Sequence, residues 1–147
     1  MTDLKCCVFH GKSGPLQKAW KVRECVFVYE QNVPKDIERD SYDQSAWHIV
    51  VFHKEDAVGT GRLFELEKGH YVIGRVAVLK DLRRKGLGQV IMKALLEKAW
   101  EEKALDVELH AQKDAVPFYE NLGFVSEGHI FKEAGIDHIT MKIKRPN

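Results

Sequence analysis

Arg83, Gly86 and Gly88 stand where an apolar run, Val76-Ala77-Val78-Leu79, gives way to an amphipathic one beginning at Leu87. A strand that enters a helix through such a loop presents the unpaired first-turn amides and the positive end of the helix dipole, a combination that attracts phosphate. Glycine at 86 and 88 lets a ligand reach the backbone with no Cβ in the way. Between Lys80 and Lys85 there are four positive charges and one negative, a further pull on an anion. The segment lacks the Gly-Lys-Ser/Thr ending of a Walker loop and the third glycine of a dinucleotide fingerprint, so it is neither. The plainer alternative is a solvated basic loop ahead of an ordinary helix.

The elements that would position this loop follow from periodicity. Cys6–His10 reads as a short first strand closed by Gly11 and Gly14, and Pro15 suits the first turn of a helix. That helix is expected to run to about Glu30, with Leu16, Ala19, Trp20, Arg23, Phe27 and Glu30 along one side, and to pass into a polar loop ending near Gln44. Ala46–His53, Ala57–Leu66 and Tyr71–Leu79, separated by short polar turns, predict an antiparallel meander. Gly86–Lys103 is the clearest helix, with Leu87, Val90, Ile91, Ala94 and Leu95 as its apolar stripe. A strand at Val107–Ala111, a short helix at Ala115–Asn121 stopped by Gly123, and a closing pair at Phe124–Phe131 and Ile136–Lys144 complete the chain. The expected fold is therefore α+β: a mixed, mostly antiparallel sheet of six to seven strands flanked by helices. One right-handed β-α-β crossover joins Tyr71–Leu79 to Val107–Ala111.

Two motifs together carry a family resemblance. Arg83-x-x-Gly86-x-Gly88 matches the pattern Gln/Arg-x-x-Gly-x-Gly/Ala, and Ala115-Val116-Pro117-Phe118-Tyr119-Glu120-Asn121-Leu122-Gly123-Phe124 matches Ala-x-x-x-Tyr-x-x-x-Gly-Phe. These are motifs A and B of the GCN5-related N-acetyltransferases, the GNAT superfamily, which the chain resembles over nearly its whole length. Val22–Pro34 and the tail Glu133-Ala134-Gly135-Ile136-Asp137-His138-Ile139-x-Met141 further resemble the small YjcF/ElaA-like bacterial branch.

The resemblance implies acetyl-CoA as cosubstrate. Arg83, Arg84, Lys85, Gly86, Leu87 and Gly88 would hold its pyrophosphate, and Val76, Ala77 and Val78 would pair with the pantetheine arm. An amide at Val78 or Ala77 would polarise the thioester carbonyl. Tyr119 corresponds to the tyrosine that protonates the departing thiolate. Gln112 occupies a position where many relatives carry a pantetheine-contacting Asn, and Tyr71–Val78 lacks the carboxylate that serves some relatives as base. Acyl transfer still needs a proton acceptor for the amine, and His110 and His138 are the candidates, each weighed against a histidine satisfied in the core or at the surface. Glu30 is a candidate to hold a cationic amine, against a solvated helix-terminal carboxylate. Arg62 and Arg75 either face an acidic substrate group or pair with strand neighbours. The remaining histidines show no HxH or HExxH spacing, which argues against a metal site.

Composition bounds the rest. The 147 residues suit one domain spanning 1–147, and 23 Lys+Arg against 22 Asp+Glu leave no basic excess for a nucleic-acid coat or a membrane tether. Cys6, Cys7 and Cys25 are odd in number, and no run approaches the ~20 apolar residues of a membrane span. A cytoplasmic protein with reduced thiols is expected. The function expected is N-acetylation of a small-molecule or protein amine by direct attack, with homodimers as relatives often form. Cys25 as a covalent relay is the weaker enzymatic variant, against a small buried helix residue. The rivals are an acyl-CoA-binding sensor that kept motif A, and a nucleic-acid module built on Arg83-Arg84-Lys85, which lacks an aromatic stacking surface.

Overall fold

The computed structural model describes residues 3–147. Seven strands form one sheet in the order β1-β2-β3-β4-β5-β7-β6: β1 Leu4–His10, β2 Trp47–His53, β3 Asp56–Glu67, β4 His70–Val78, β5 Asp106–Gln112, β6 Val125–Glu133 and β7 Ile136–Lys144. All neighbours are antiparallel except β4 and β5, the parallel pair joined through helix α3, Leu87–Glu101. The α+β expectation holds.

Helix α3 lays Leu87, Ile91, Met92, Leu95 and Ala99 on one face of the sheet against Ile49, Leu63, Ile73, Leu109 and Met141, all buried. Gly61 permits the close approach, because a Cβ there would stand 2.8 Å from Ile91 and 2.9 Å from Leu95. Helix α1, Leu16–Arg23, covers the other face, where Leu16 and Ala19 meet Phe9 and Val50. No helix among the described residues is long and apolar enough to cross a membrane.

Two elements differ from expectation. The first helix does not stay α-helical to Glu30: from Glu24 to Glu30 it is a π-helix, whose wider turn buries Val26 and leaves Phe27 half-exposed. The expected polar loop after it contains helix α2, Lys35–Glu38, and a 3₁₀ turn at Ser41–Gln44, and it buries Glu38 and Asp43. Arginines on three other elements neutralise those carboxylates, a compensation that local polarity does not reveal.

The feature that matters for function is a parting of the sheet. β4 pairs with β5 only at His70, Tyr71 and Val72. Beyond them a bulge sets Arg75, at φ 54, and Val76 between the pairs Arg62↔Gly74 and Thr60↔Ala77. An extra residue bends and twists its strand, and β4 leaves β5, which keeps its pairing with β7 as far as Gln112.

Candidate active site

Into that parting opens a cavity of about 580 Å³. From the β3–β4 side it is lined by Arg62, Phe64 and Arg75, and from the β5–β7 side by His110, Gln112, Glu133 and His138. Val78, Arg83 and Tyr119 line it as well. Leu79 gives its amide to the Val58 carbonyl on β3, so the alternation of an extended strand turns the Val78 amide to the cleft and the Ala77 amide to β3. Of the amides of Ala77 and Val78, only the second faces the cleft.

Motif A lies at the end of β4. A 3₁₀ turn, Lys80–Leu82, leads to Gly86, which stands before α3 in the left-handed conformation with φ 84. No side chain caps this helix, so its first amides are open to an anion. Gly88 faces the Phe118 ring, 3.2 Å from where a Cβ would be. Leu87 buries its side chain in the core and has only its backbone to offer, whereas Arg84 and Lys85 are exposed. Arg83 is already engaged: its Nε–H donates to the Val78 carbonyl at 3.0 Å, and its Nη2 donates to Glu30 Oε1 at 2.6 Å. Glu30 is thus a partner of Arg83 at the head of the glycine loop rather than a free carboxylate, and that hydrogen bond holds its carboxyl below the ordinary range.

Tyr119 sits on helix α4, Val116–Asn121, with Phe118 and Phe124 edge-on at 5.0 and 6.0 Å. Burial alone pushes its phenol up to about 12, with no hydrogen bond or charge contributing. Gln112 makes a reciprocal amide pair with Gln31 at the end of the π-helix, at 2.9 and 3.4 Å. Periodicity gives no warning of that contact, which spans 81 residues of sequence. Cys25 is exposed and does not line the cavity, so it is not the small buried residue expected of a free cysteine.

On the β5–β7 side, His110 Nδ1 lies 2.9 Å from Glu133 Oε2, and His138 Nε2 lies 4.0 Å from Glu133 Oε1. The ring of Phe131 stacks on His138 and meets His110 edge-on. Glu133 and Phe131 are absent from the sequence-derived site, although Glu133 starts the two-residue turn Ala134-Gly135, whose positive φ angles mark a tight hairpin. Among the described residues no group of three or more His, Cys, Asp or Glu side chains could hold a metal ion.

Arg62 and Arg75 belong to a network of three arginines and three carboxylates. Arg23 bonds Glu38 and Asp43, each at 2.7 Å. Arg62 donates to Asp40 at 2.6 and 2.8 Å and to Asp43 at 2.9 Å. Arg75 reaches Glu38 at 3.1 Å and Asp40 at 3.2 Å. Of the two readings the sequence left open, the arginines pair within the protein, though their partners come from the segment after the π-helix and not from strand neighbours; the Nε–H of Arg62 is buried without a partner among the described residues.

Burial opposes the charge on Asp43, but Arg23, Trp20 and Arg62 outweigh it and hold the carboxyl at about 2. A depressed carboxylate stabilises the fold above its unfolded value of about 3.9 and loses that contribution as pH falls through the folded one. Urea midpoints should therefore drop between about pH 4 and pH 2. In Asp43→Asn, already weaker at neutral pH, the drop should be smaller by about 2 kcal/mol; an equal drop in both proteins would place the acid sensitivity elsewhere.

A family model described as an acetyltransferase (GNAT) domain matches residues 16–145. The chain is 43% identical to an uncharacterised N-acetyltransferase of Bacillus subtilis, YjcF, over 86% of this chain and 90% of the relative. It is 35% identical to the protein ElaA of Escherichia coli over 82% of each. The crystal structure of Escherichia coli ElaA superposes with a TM-score of 0.86 at 28% identity, covering 95% of this chain and 98% of that one. An acyl-CoA N-acyltransferase from Pseudomonas aeruginosa matches with the same score, identity and coverage.

Proposed function

The chain belongs to the GNAT acetyltransferase family, and from that premise we propose that it moves an acetyl group from acetyl-CoA to a primary amine by direct attack in a ternary complex. What carries this is the departure of β4 from β5 after Val72, which leaves the strand edge Val76–Val78, Arg83 at the head of the glycine loop and Tyr119 around one cavity. Acetyl-CoA fits as substrate: the edge Val76–Val78 would pair with its pantetheine arm, and the open amides from Gly86 to Gly88 would take the pyrophosphate. Arg83 would exchange or share its Glu30 partner as the phosphates arrive.

The Val78 amide would polarise the thioester carbonyl while the neutral amine attacks its carbon. The new C–N bond forms, the C–S bond breaks, and the thiolate takes the phenolic proton of Tyr119. The proton that the nitrogen sheds as the amide forms restores the phenol. The proton lost earlier, on converting ammonium to amine, goes to His110, His138 or water.

Coenzyme A at a hundredfold excess over its dissociation constant should stabilise the protein by about 2.7 kcal/mol, read as a rise in Tm, while NAD and ATP should not. Gly88→Val, whose side chain must displace Phe118, should lose the rise yet remain folded. An unchanged Tm with saturating coenzyme A would remove the basis of the proposal. Binding without thiol release from any amine would make the chain an acyl-CoA-binding module instead.

A further inference from the structure

His138 lies on β7 opposite Gln112 of β5 and Phe131 of β6, and its side chain is 9% exposed. Its Nδ1 is 2.7 Å from the Ile136 carbonyl. A carbonyl only accepts, so Nδ1 carries a hydrogen, and the neutral tautomer this allows has its lone pair on Nε2. That nitrogen faces Glu133 Oε1 across 4.0 Å. The other oxygen of Glu133 receives the Nδ1–H of His110. In that tautomer two acceptors face each other at the cavity. Of the remaining charges against this cluster, Glu108 lies between Lys142 at 3.7 Å and His110 Nε2 at 3.8 Å, and Asp137 pairs with Lys132.

Of the three carboxylates lining the cavity, Glu38 and Asp40 are held by arginines, whereas Glu133 meets no arginine or lysine among the described residues. We propose that Glu133 Oε1 and His138 Nε2 receive the ammonium group of the acceptor, and that His138 Nε2 takes its proton. This rests on the acetyltransferase reading above and names the acceptor's class: an alkylamine that is cationic in solution. An α-amino acid would bring its carboxylate beside that of Glu133, while Arg62 and Arg75 already hold Asp40, Asp43 and Glu38.

The step balances simply. One N–H bond of the ammonium breaks, its proton binds Nε2, and the imidazolium so formed donates to Glu133. The amine keeps the electron pair, turns about its C–N bond and attacks the thioester; His138 later yields the proton to water. His110 touches no reacting atom in this scheme and is a positioning residue that orients Glu133. Sequence proximity to Tyr119 favours His110 as the base, but its Nε2 faces Glu108, which does not line the cavity, whereas the Nε2 of His138 faces Glu133, which does, and this reverses that order.

The test measures thiol release from acetyl-CoA with phenethylamine, n-butylamine and phenylalanine across pH, with coenzyme A thermal shifts run on every variant. Phenethylamine should exceed phenylalanine at least about tenfold in kcat/KM, since the two differ in one carboxylate and like charges repel. His138→Gln should lower kcat/KM roughly a hundredfold near neutrality, and the deficit should close as pH approaches the amine's own pKa, where bulk solvent supplies free base. Glu133→Gln should raise KM for the alkylamines roughly tenfold and leave the coenzyme A shift intact. His110→Gln, which can still donate to Glu133, should keep most activity that His110→Ala loses. Long-range ¹H–¹⁵N spectra of the imidazole rings should show His138 as the Nδ1–H tautomer. An Nε2–H tautomer, a preference for phenylalanine, or an unchanged KM in Glu133→Gln beside an active parent would each overturn the inference alone. A parent that binds coenzyme A and acetylates no amine would overturn the acetyltransferase reading, and the inference with it.

Discussion

Replacing Tyr119 by Phe should leave coenzyme A binding intact and lower turnover by roughly 10²–10⁴, the range that a positioned general acid contributes. The ring is held edge-on between Phe118 and Phe124, contacts that phenylalanine keeps. What disappears is a hydroxyl that burial alone holds near 12, so its proton stays in place at any pH the protein is used at. A phenol so weakly acidic suits this duty where the thiolate it meets is itself raised by leaving water. The loss should shrink with an acetyl donor whose thiol is more acidic and departs without help. If Tyr119→Phe slows both donors equally, the tyrosine acts through packing, and water protonates the thiolate.

Motif B is legible in the sequence because its constraints are local: Tyr119 stands four residues before Gly123, whose positive φ ends the helix. Gly86 is legible for the same reason, since a left-handed residue ahead of α3 has to be glycine or close to it. The segment from Gln31 to Gln44 is not, because polar residues in a row read as solvated. Glu38 and Asp43 are nonetheless 3% and 1% exposed, since arginines from α1, β3 and β4 surround them. One local signal did exist. Arg23 lies on the inward side of the first helix, between Ala19 and Val26, and a buried arginine there demands a carboxylate from elsewhere. The π-helix left no such trace, for the 3.6-residue pattern fits Arg23, Phe27 and Glu30 equally well without it. Glu133 was visible only as the first residue of the family-like tail, because His110 comes to it through two strand pairings, β5 with β7 and β7 with β6.

Arg23→Met should destabilise the protein by about 3–5 kcal/mol, the typical cost of removing one partner from a buried ion pair. Methionine matches the length of the stem but leaves Glu38 and Asp43, both almost fully buried, short of a cation each had at 2.7 Å. Arg62 and Arg75 remain nearby but are shared with Asp40, so they do not restore neutrality. A loss of that size is a large part of the 5–15 kcal/mol that holds an ordinary domain. It should appear as a lower urea midpoint at unchanged m. The neighbouring Arg39 is the control. It lies over the same Trp20 ring at 4.3 Å and meets Glu24 at 3.7 Å, but its side chain is 46% exposed. Arg39→Met should therefore cost less than about 1 kcal/mol. The two variants should differ in function too. Asp40 and Glu38 line the cavity, so Arg23→Met should raise KM for the amine while the coenzyme A shift, which on the proposed reading draws on the Gly86–Gly88 amides, persists. Equal stability losses in the two variants would mean that the carboxylates are satisfied by Arg62, Arg75 and water, and that Arg23 fixes the segment's position without holding the fold.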